Sequence, residues 1–523
     1  LDYNTVRGNL GIYEGGGIYA EGGTMTGNEV TGNVVDAPHF AYGGGIYATG
    51  GVIVGNTVSG NAASTGYYDA WGGGIFALLS TVSENSISNN SVSGPRFGTG
   101  GGIYGSSSTI SLNSITGNAA NAGGPYTSYG GGVYADGGSV TGNTITSNSA
   151  AGGGESLGGG VYSSVATVTG NTLSGNSGNK GGAIYANKGT VTNNVVQSNT
   201  TSLNGTVYVF QGTALGNTIQ GNSATNGGGM YGDGATLTGN TVEDNTAVLG
   251  GGIYATASTV LGNTLTGNDA YSNGGGMYAS GGTVTGNTLT GNTVPSYGHG
   301  SGAYILGVTS FTYNNVVDNT GGGTAGGVSI EGQPVLEYNN LYGNLPYDAE
   351  VVSDLAVDGT HNYWGETLCT QIPNKIYDGY DAPGRGYLAY APSLYSPVPV
   401  AQLEYPTGLD FTIEGSQVTL SWNPIADLPI YGCRVPGSDE PDIQYLVFYG
   451  DEACGPYDGD WLLSESPIDV DDATTYTLSG LPATTTYVAV AAYDYLTRQS
   501  AFSNVIEING GDGYTVYLPL LTK

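Results

Sequence analysis

Basic side chains are nearly missing from this sequence, with nine Lys and Arg among 523 residues. Nucleic-acid binding needs those side chains to displace counterions from phosphates, so that class is excluded. Forty-one Asp and Glu give a net charge of −32, which disfavours anionic membrane surfaces as well. Cys and Met number three each, Trp four, Phe eight and His three. No run approaches the ~18 apolar residues of a transmembrane helix. The chain opens without a Met or a basic, apolar leader, which reads as a mature protein whose export signal has been removed or lies outside it.

What is abundant is Gly, with 96 residues, and Tyr, with 41. Glycine keeps no three-residue period, which excludes collagen. Aliphatic and aromatic residues recur throughout, which argues against a disordered linker. The abundance comes from a repeat. G-G-G-I-Y-A stands at Gly15–Ala20 and Gly43–Ala48, and variants follow as far as Gly300–Tyr304. Its aromatic position runs Tyr19, Tyr47, Phe76, Tyr104, Tyr134, Tyr162, Tyr185, Tyr208, Tyr231, Tyr254, Tyr278 and Tyr304. The spacing is 28 to 30 residues at first and 23 to 26 later.

Between these copies lie asparagines five residues apart, usually as T-G-N-T-(V/L/I)-T-G-N. Fourteen pairs run from Asn4/Asn9 to Asn339/Asn344, among them Asn28 and Asn33, Asn56 and Asn61, Asn143 and Asn148, Asn217 and Asn222, and Asn263 and Asn268. Each copy is too short and glycine-rich for helices, and its β-branched residues alternate with Thr, Ser or Gly, which is strand periodicity. Three short strands per copy make one coil of a parallel β-solenoid, whose inner face is buried only by stacking. The asparagines are expected to form an internal ladder and to tolerate the left-handed conformation that tight turns need, and glycine serves where φ is positive or where the wall allows no side chain. At about 4.8 Å per coil, fourteen coils make a rod roughly 65 Å long.

These G-G-x-I and x-x-N repeats resemble right-handed parallel β-helix proteins, which include secreted bacterial adhesins and the polymorphic outer-membrane protein family. The resemblance covers about residues 1–400. Asn362-Tyr363-Trp364-Gly365, Ile376–Asp381 and Tyr387–Pro392 look like the last coil and C-terminal cap of such a helix. It implies an all-β fold of 14 to 15 coils and a bacterial surface or secreted location. The adhesins end in a membrane barrel, and no such barrel is expected within these residues.

Composition changes near Pro397-Val398-Pro399. Val418–Trp422, Tyr487 with Val488–Ala492, and Val505–Ile508 resemble a fibronectin type III sandwich, Tyr487 taking the tyrosine-corner place. The expected divisions are 1–345 for the β-helix, 346–404 for last coil, cap and linker, 405–510 for the fibronectin type III-like domain and 511–523 for a strand-like tail. Cys433 and Cys454 share one insert and are expected to form a disulfide. Cys369 is left over, as a buried thiol or an intersubunit bridge. In the apolar tail, Tyr514, Val516, Tyr517, Leu518 and Leu520 pack on their own sandwich or add to another chain.

Catalytic β-helices need clustered carboxylates, basic residues or a calcium site on adjacent coils. Residues 1–345 hold only Arg7, Arg96, Lys180 and Lys188 as basic groups. Glu21, Asp136, Asp233 and Glu243 do not share one position in successive coils, and His39, His299 and His361 are too far apart for a local metal motif. The glycine runs lack the Lys of a phosphate loop. No enzyme and no cofactor are expected. Calcium is the one cation that Asp469/Asp471/Asp472 or Asp451/Glu452/Asp458/Asp460 could hold, though the EF-hand spacing is missing.

Two features remain for interaction. The tyrosine stripe should point outward, as a cover for the wall, a glycan platform or a lateral contact. The loops at Asp36–Tyr42, Ser64–Trp71 and Gly123–Tyr129 are long and aromatic, and such loops commonly mark the binding side of a solenoid. The expectation is a non-catalytic extracellular structural protein, a subunit of a bacterial surface filament, sheath or layer. It would self-associate head to tail through β-helix ends, tail strand and loops, since the chain begins in ladder phase at Asn4 with no cap in view. The alternative is an adhesin or glycan-binding surface protein using stripe and loops, and a carbohydrate-active enzyme comes third.

Overall fold

The computed structural model describes residues 1–391 apart from 322, 367 and 368, then 393, 394, 397 and 398. Beyond these it describes 406–414, 417–425, 443–450, 468–479 without 471, 485–494, 503, 506–509 and 515–517. Two compact units result, Leu1–Pro397 and Val398–Lys523.

The first unit is a right-handed parallel β-solenoid of about 14 turns. Most coils carry four strands and not three. In the second coil these are Ile18–Glu21, Thr24–Thr26, Glu29–Thr31 and Val34–Ala37, one for each of four faces. The extra strand follows from the corners. Each ladder asparagine stands just after a residue of positive φ, such as Gly27 before Asn28 and Gly32 before Asn33. Two corners five residues apart leave room for one three-residue strand between them.

The left-handed conformation therefore belongs to the residue before the asparagine, not to the asparagine itself. Asn148 and Asn268, of a residue type that tolerates that conformation, instead follow it. Ser147, at φ 56°, precedes Asn148, and Gly267, at φ 64°, precedes Asn268. This explains the glycine of T-G-N, which takes positive φ without steric cost. Glu84, Leu112 and Asn193 take the same conformation, like Ser147, where glycine is absent.

The asparagines are buried and hydrogen-bonded coil to coil. Asn143 donates from its backbone N and from Nδ2 to Asn171 Oδ1, at 2.8 and 2.9 Å, and from Nδ2 to the Ile110 carbonyl at 2.9 Å. In the second row Asn148 donates in the same two ways to Asn176 Oδ1, at 2.9 and 3.0 Å. Asn268 donates likewise to Asn292 Oδ1, both bonds at 3.0 Å. The same pattern runs through Asn28/Asn56, Asn33/Asn61, Asn217/Asn240, Asn222/Asn245 and Asn263/Asn287. One row closes on Asn362, which accepts from Asn339. The other closes on Asp348, which accepts from Asn344 N and Nδ2.

The glycine triplet and the ladder explain each other. A Cβ on Gly45 would stand 3.0 Å from the Asn61 carboxamide, and one on Gly44 would stand 2.3 Å from the Ala62 carbonyl. A side chain at either place would separate the wall from the ladder. Inside, Ile46, Ile53, Val58 and Ala63, one from each face, are fully or almost fully buried.

The 28-to-30-residue coils carry an extra short strand, as at Ala41–Tyr42, Ala70–Trp71, Gly98–Thr99, Ser128–Tyr129 and Ser156–Leu157. From Ser177–Lys180 onward the fourth face runs straight into the next triplet, which shortens the repeat. A 3-10 turn, Cys369–Lys375, and the strands Ile376–Tyr377 and Leu388–Ala389 form the cap, beside a fully buried Trp364.

The second unit holds two antiparallel sheets. One contains Thr407–Glu414, Gln417–Asn423 and Thr475–Ser479. The other orders Ile468–Asp469, Ile443–Gly450, Thr485–Asp494, Ile506–Asn509 and Thr515–Tyr517. One core, including Val418, Leu420, Trp422, Tyr445, Val490 and Ile508, draws on both sheets. Thr515–Tyr517 pairs with Glu507–Asn509 of its own sheet. The tail strand expected as a donor to another chain thus has its ladder partner at home. Cys433, Cys454, Tyr514, Leu518 and Leu520 lie outside the described residues.

Candidate functional site

The stripe residues share one register, from Tyr19 opposite Tyr47 to Tyr278 opposite Tyr304. Their rings stack along the axis at 4.8 to 5.4 Å, nearly parallel, as in Tyr19–Tyr47 at 5.0 Å and 2°, Tyr162–Tyr185 at 5.4 Å and Tyr231–Tyr254 at 4.8 Å. Such stacking covers each ring's faces with its neighbours and leaves edges and hydroxyls outward. Tyr162, Tyr208 and Tyr304 are buried as a result, while Tyr19 is 52% exposed. Burial pushes the phenols of Tyr134, Tyr185 and Tyr208 up, and Tyr254 up to about 12. Tyr19 is raised to about 12 chiefly by its hydrogen bond to Glu21. Sugar stacking needs an open ring face, so the stripe covers the wall and offers no platform along its length.

After Tyr304 the stripe position passes to Ser329, Glu350 and Tyr377. Sequence reading did not connect these residues. The Glu350 side chain is completely buried and accepts from His299 Nδ1 at 2.9 Å, Ser329 Oγ at 2.8 Å, Arg385 Nη1 at 2.9 Å and Thr324 Oγ1. Burial pushes the Glu350 carboxyl up, but the hydrogen bonds from His299 and Thr324 outweigh it and hold it below its ordinary value. The same carboxylate raises His299. Arg385 also donates to the Val351 carbonyl at 2.6 Å and lies 4.8 Å above the Tyr377 ring. Every Glu350 oxygen is thus engaged, and the group clasps the cap to three coils. The break in the tyrosine repeat was the signal that could have found it.

The acidic groups of the cap have structural partners as well. Asp378, beside a cap cleft of about 370 Å³, accepts from the backbone of Tyr380 and Leu388. Among the described residues no three His, Cys, Asp or Glu gather as a metal site. Of the two acidic clusters named for calcium, Asp469 and Asp472 are described.

The long loops bring together what the stripe hides. Ala41 N donates to the Asp69 carbonyl, Ala70 N to the Phe97 carbonyl and Arg96 N to the Tyr68 carbonyl, so the loops are held in register. Tyr42 stacks on Trp71 at 4.8 Å and meets Phe76 edge-on at 5.3 Å. Farther out, Phe40 lies 5.4 Å from Tyr68, and His39 lies 5.8 and 5.4 Å from Tyr67 and Tyr68. Burial raises the Asp69 carboxyl, against the opposing pull of Arg96 and the Phe97 backbone. No family model and no curated protein matches this chain.

Two faces carry hydroxyls in rows. On the second face Thr81, Thr109, Ser139, Thr167 and Thr190 stand in register, beside Ser83, Ser111, Thr141, Thr169 and Thr192. On the third, Thr57, Ser86, Ser114, Thr144 and Thr172 align beside Ser59, Ser88, Thr116, Thr146 and Ser174. Residues 37–232 hold four acids (Asp69, Glu84, Asp136, Glu155) and three bases (Arg96, Lys180, Lys188). Two of those acids pair with bases, Asp69 with Arg96 at 4.0 Å and Glu155 with Lys180 at 2.6 Å.

Proposed function

We propose that the chain is a non-catalytic structural rod of a bacterial surface, a subunit of an extracellular filament, sheath or layer in which solenoids lie side by side. One observation carries this reading: on a chain of net charge −32, the rows of Thr and Ser over residues 57–192 are free of charge. Like-charged chains repel, and two copies can approach most closely where neither presents a charge. Flat strand faces bearing short side chains also pack closely. The second unit's two sheets around Trp422 support reading it as a fibronectin type III-like module.

Sedimentation velocity and electron microscopy of the full chain test this. Native protein should form laterally associated rods. The double variant Thr144→Glu, Thr167→Glu, altering two exposed positions, should remain single. Native chains that stay monomeric at every concentration would remove the proposal.

A further inference from the structure

We infer that the loops of three successive coils, around Phe40, Tyr67, Tyr68, Asp69 and Arg96, form a binding site for neutral carbohydrate. The site is independent of the lateral faces. Phe40, Tyr67 and Tyr68 are 40, 68 and 39% exposed, in contrast to the covered rings of the stripe. They adjoin one another through His39 and the Phe40–Tyr68 contact, and a contiguous exposed apolar patch marks a binding surface.

The polar half of the site is specific. Asp69 is 9% exposed, and its carboxylate is drawn on by Arg96 and the Phe97 backbone, which fixes it behind the rings. The nearest cation is Arg96 Nε at 4.0 Å, and the Arg96 guanidinium lies 5.8 Å from the Tyr68 ring centre and 5.6 Å from that of Phe97. The Arg96 side chain is 44% exposed, so its remaining guanidinium N–H groups can donate to a ligand hydroxyl. Guanidinium and carboxylate together are neutral, so the site selects against net ligand charge. Sugars combine the required features, with C–H faces that lie on aromatic rings and vicinal hydroxyls that engage planar side chains. The chain's net charge of −32 disfavours a polyanion. The coil-to-coil backbone bonds hold the loops in place before binding, which lowers the ordering cost.

The test is retention of the full chain on cellulose, chitin, starch and xylan, with alginate and a denatured-protein matrix as comparisons. Retention by at least one neutral polysaccharide is expected. It should weaken about tenfold or more in Phe40→Ala, Tyr67→Ala, and likewise in Arg96→Ala, since a few central aromatic and Arg contacts dominate binding. Tyr185→Phe in the stripe should bind as the native chain does. No retention on any neutral polysaccharide, preference for alginate or the protein matrix, or undiminished binding by the loop variants would overturn the inference. Lateral assembly, read by sedimentation in the same variants, should be unchanged, which separates the two readings.

Discussion

At the scale of single residues, the molecule is a record of where polar groups find partners. The asparagines need one another, and the last of a row needs a substitute. Asp348 is that substitute for Asn344, and burial raises its carboxyl from 3.8 to about 6. A raised carboxyl favours its neutral form. Its contribution to stability is therefore fully present below the unfolded value and is lost as pH rises through about 6. Asp348→Asn keeps the acceptor and cannot ionise. Its unfolding midpoint relative to the native chain should improve between pH 4 and pH 8, by at most about 3 kcal/mol for a shift of two units. An equal difference at both pH values would show that ionisation of Asp348 is not the cause. The neighbouring clasp works in the opposite sense at Glu350, whose lowered carboxyl stabilises above its ordinary range and loses that contribution on acidification.

At the scale of the coil, corners decide the architecture. Val165, at φ 56°, is a β-branched residue in the left-handed region and is 67% exposed, so it gains little from burial. Left-handed backbone costs such a residue about 1–2 kcal/mol, so Val165→Gly should raise the thermal midpoint, with a net gain of roughly 0.5–1 kcal/mol after glycine's entropy cost. A lowered midpoint would mean that the side chain packs on a neighbour. The same corners show what was legible beforehand. The spacing of Asn28 and Asn33 gives the coil, the ladder and its register directly, because every copy repeats it. The fourth strand is not among the three expected per copy, because the stretch between Asn28 and Asn33 is only long enough for a three-residue strand. T-G-N contains two residues suited to a positive φ, and the sequence alone does not choose between them. Asn148 shows the difference most plainly, since Ser147 takes the strained corner although an asparagine stands beside it. The Glu350 clasp escaped because His299, Glu350 and Arg385 each occur once, with no repeat to align them. The loop site was half visible: Phe40, Tyr67 and Tyr68 stand out in sequence, but the approach of Arg96 to Asp69 depends on the stacking of coils.

At the scale of the whole molecule, charge is distributed unevenly along the sequence. Residues 37–232 hold four acids against three bases, whereas 398–523 hold eighteen acids against Arg434, Arg498 and Lys523. Side-by-side assembly must overcome that repulsion. Raising salt from about 0.01 to 0.15 M shortens the screening length from about 30 to about 8 Å. The associated fraction seen by sedimentation should rise accordingly; a fall with salt would mean that ion pairs hold the assembly. The two asparagine rows add a direction to the molecule. Along each row Oδ1 accepts from the preceding asparagine and one N–H goes on to the next, so the carboxamides share one orientation along the axis. Both rows thus point their donors toward the cap, where a bare acceptor is needed at the end of each: Asn362 supplies it for one row and Asp348 for the other.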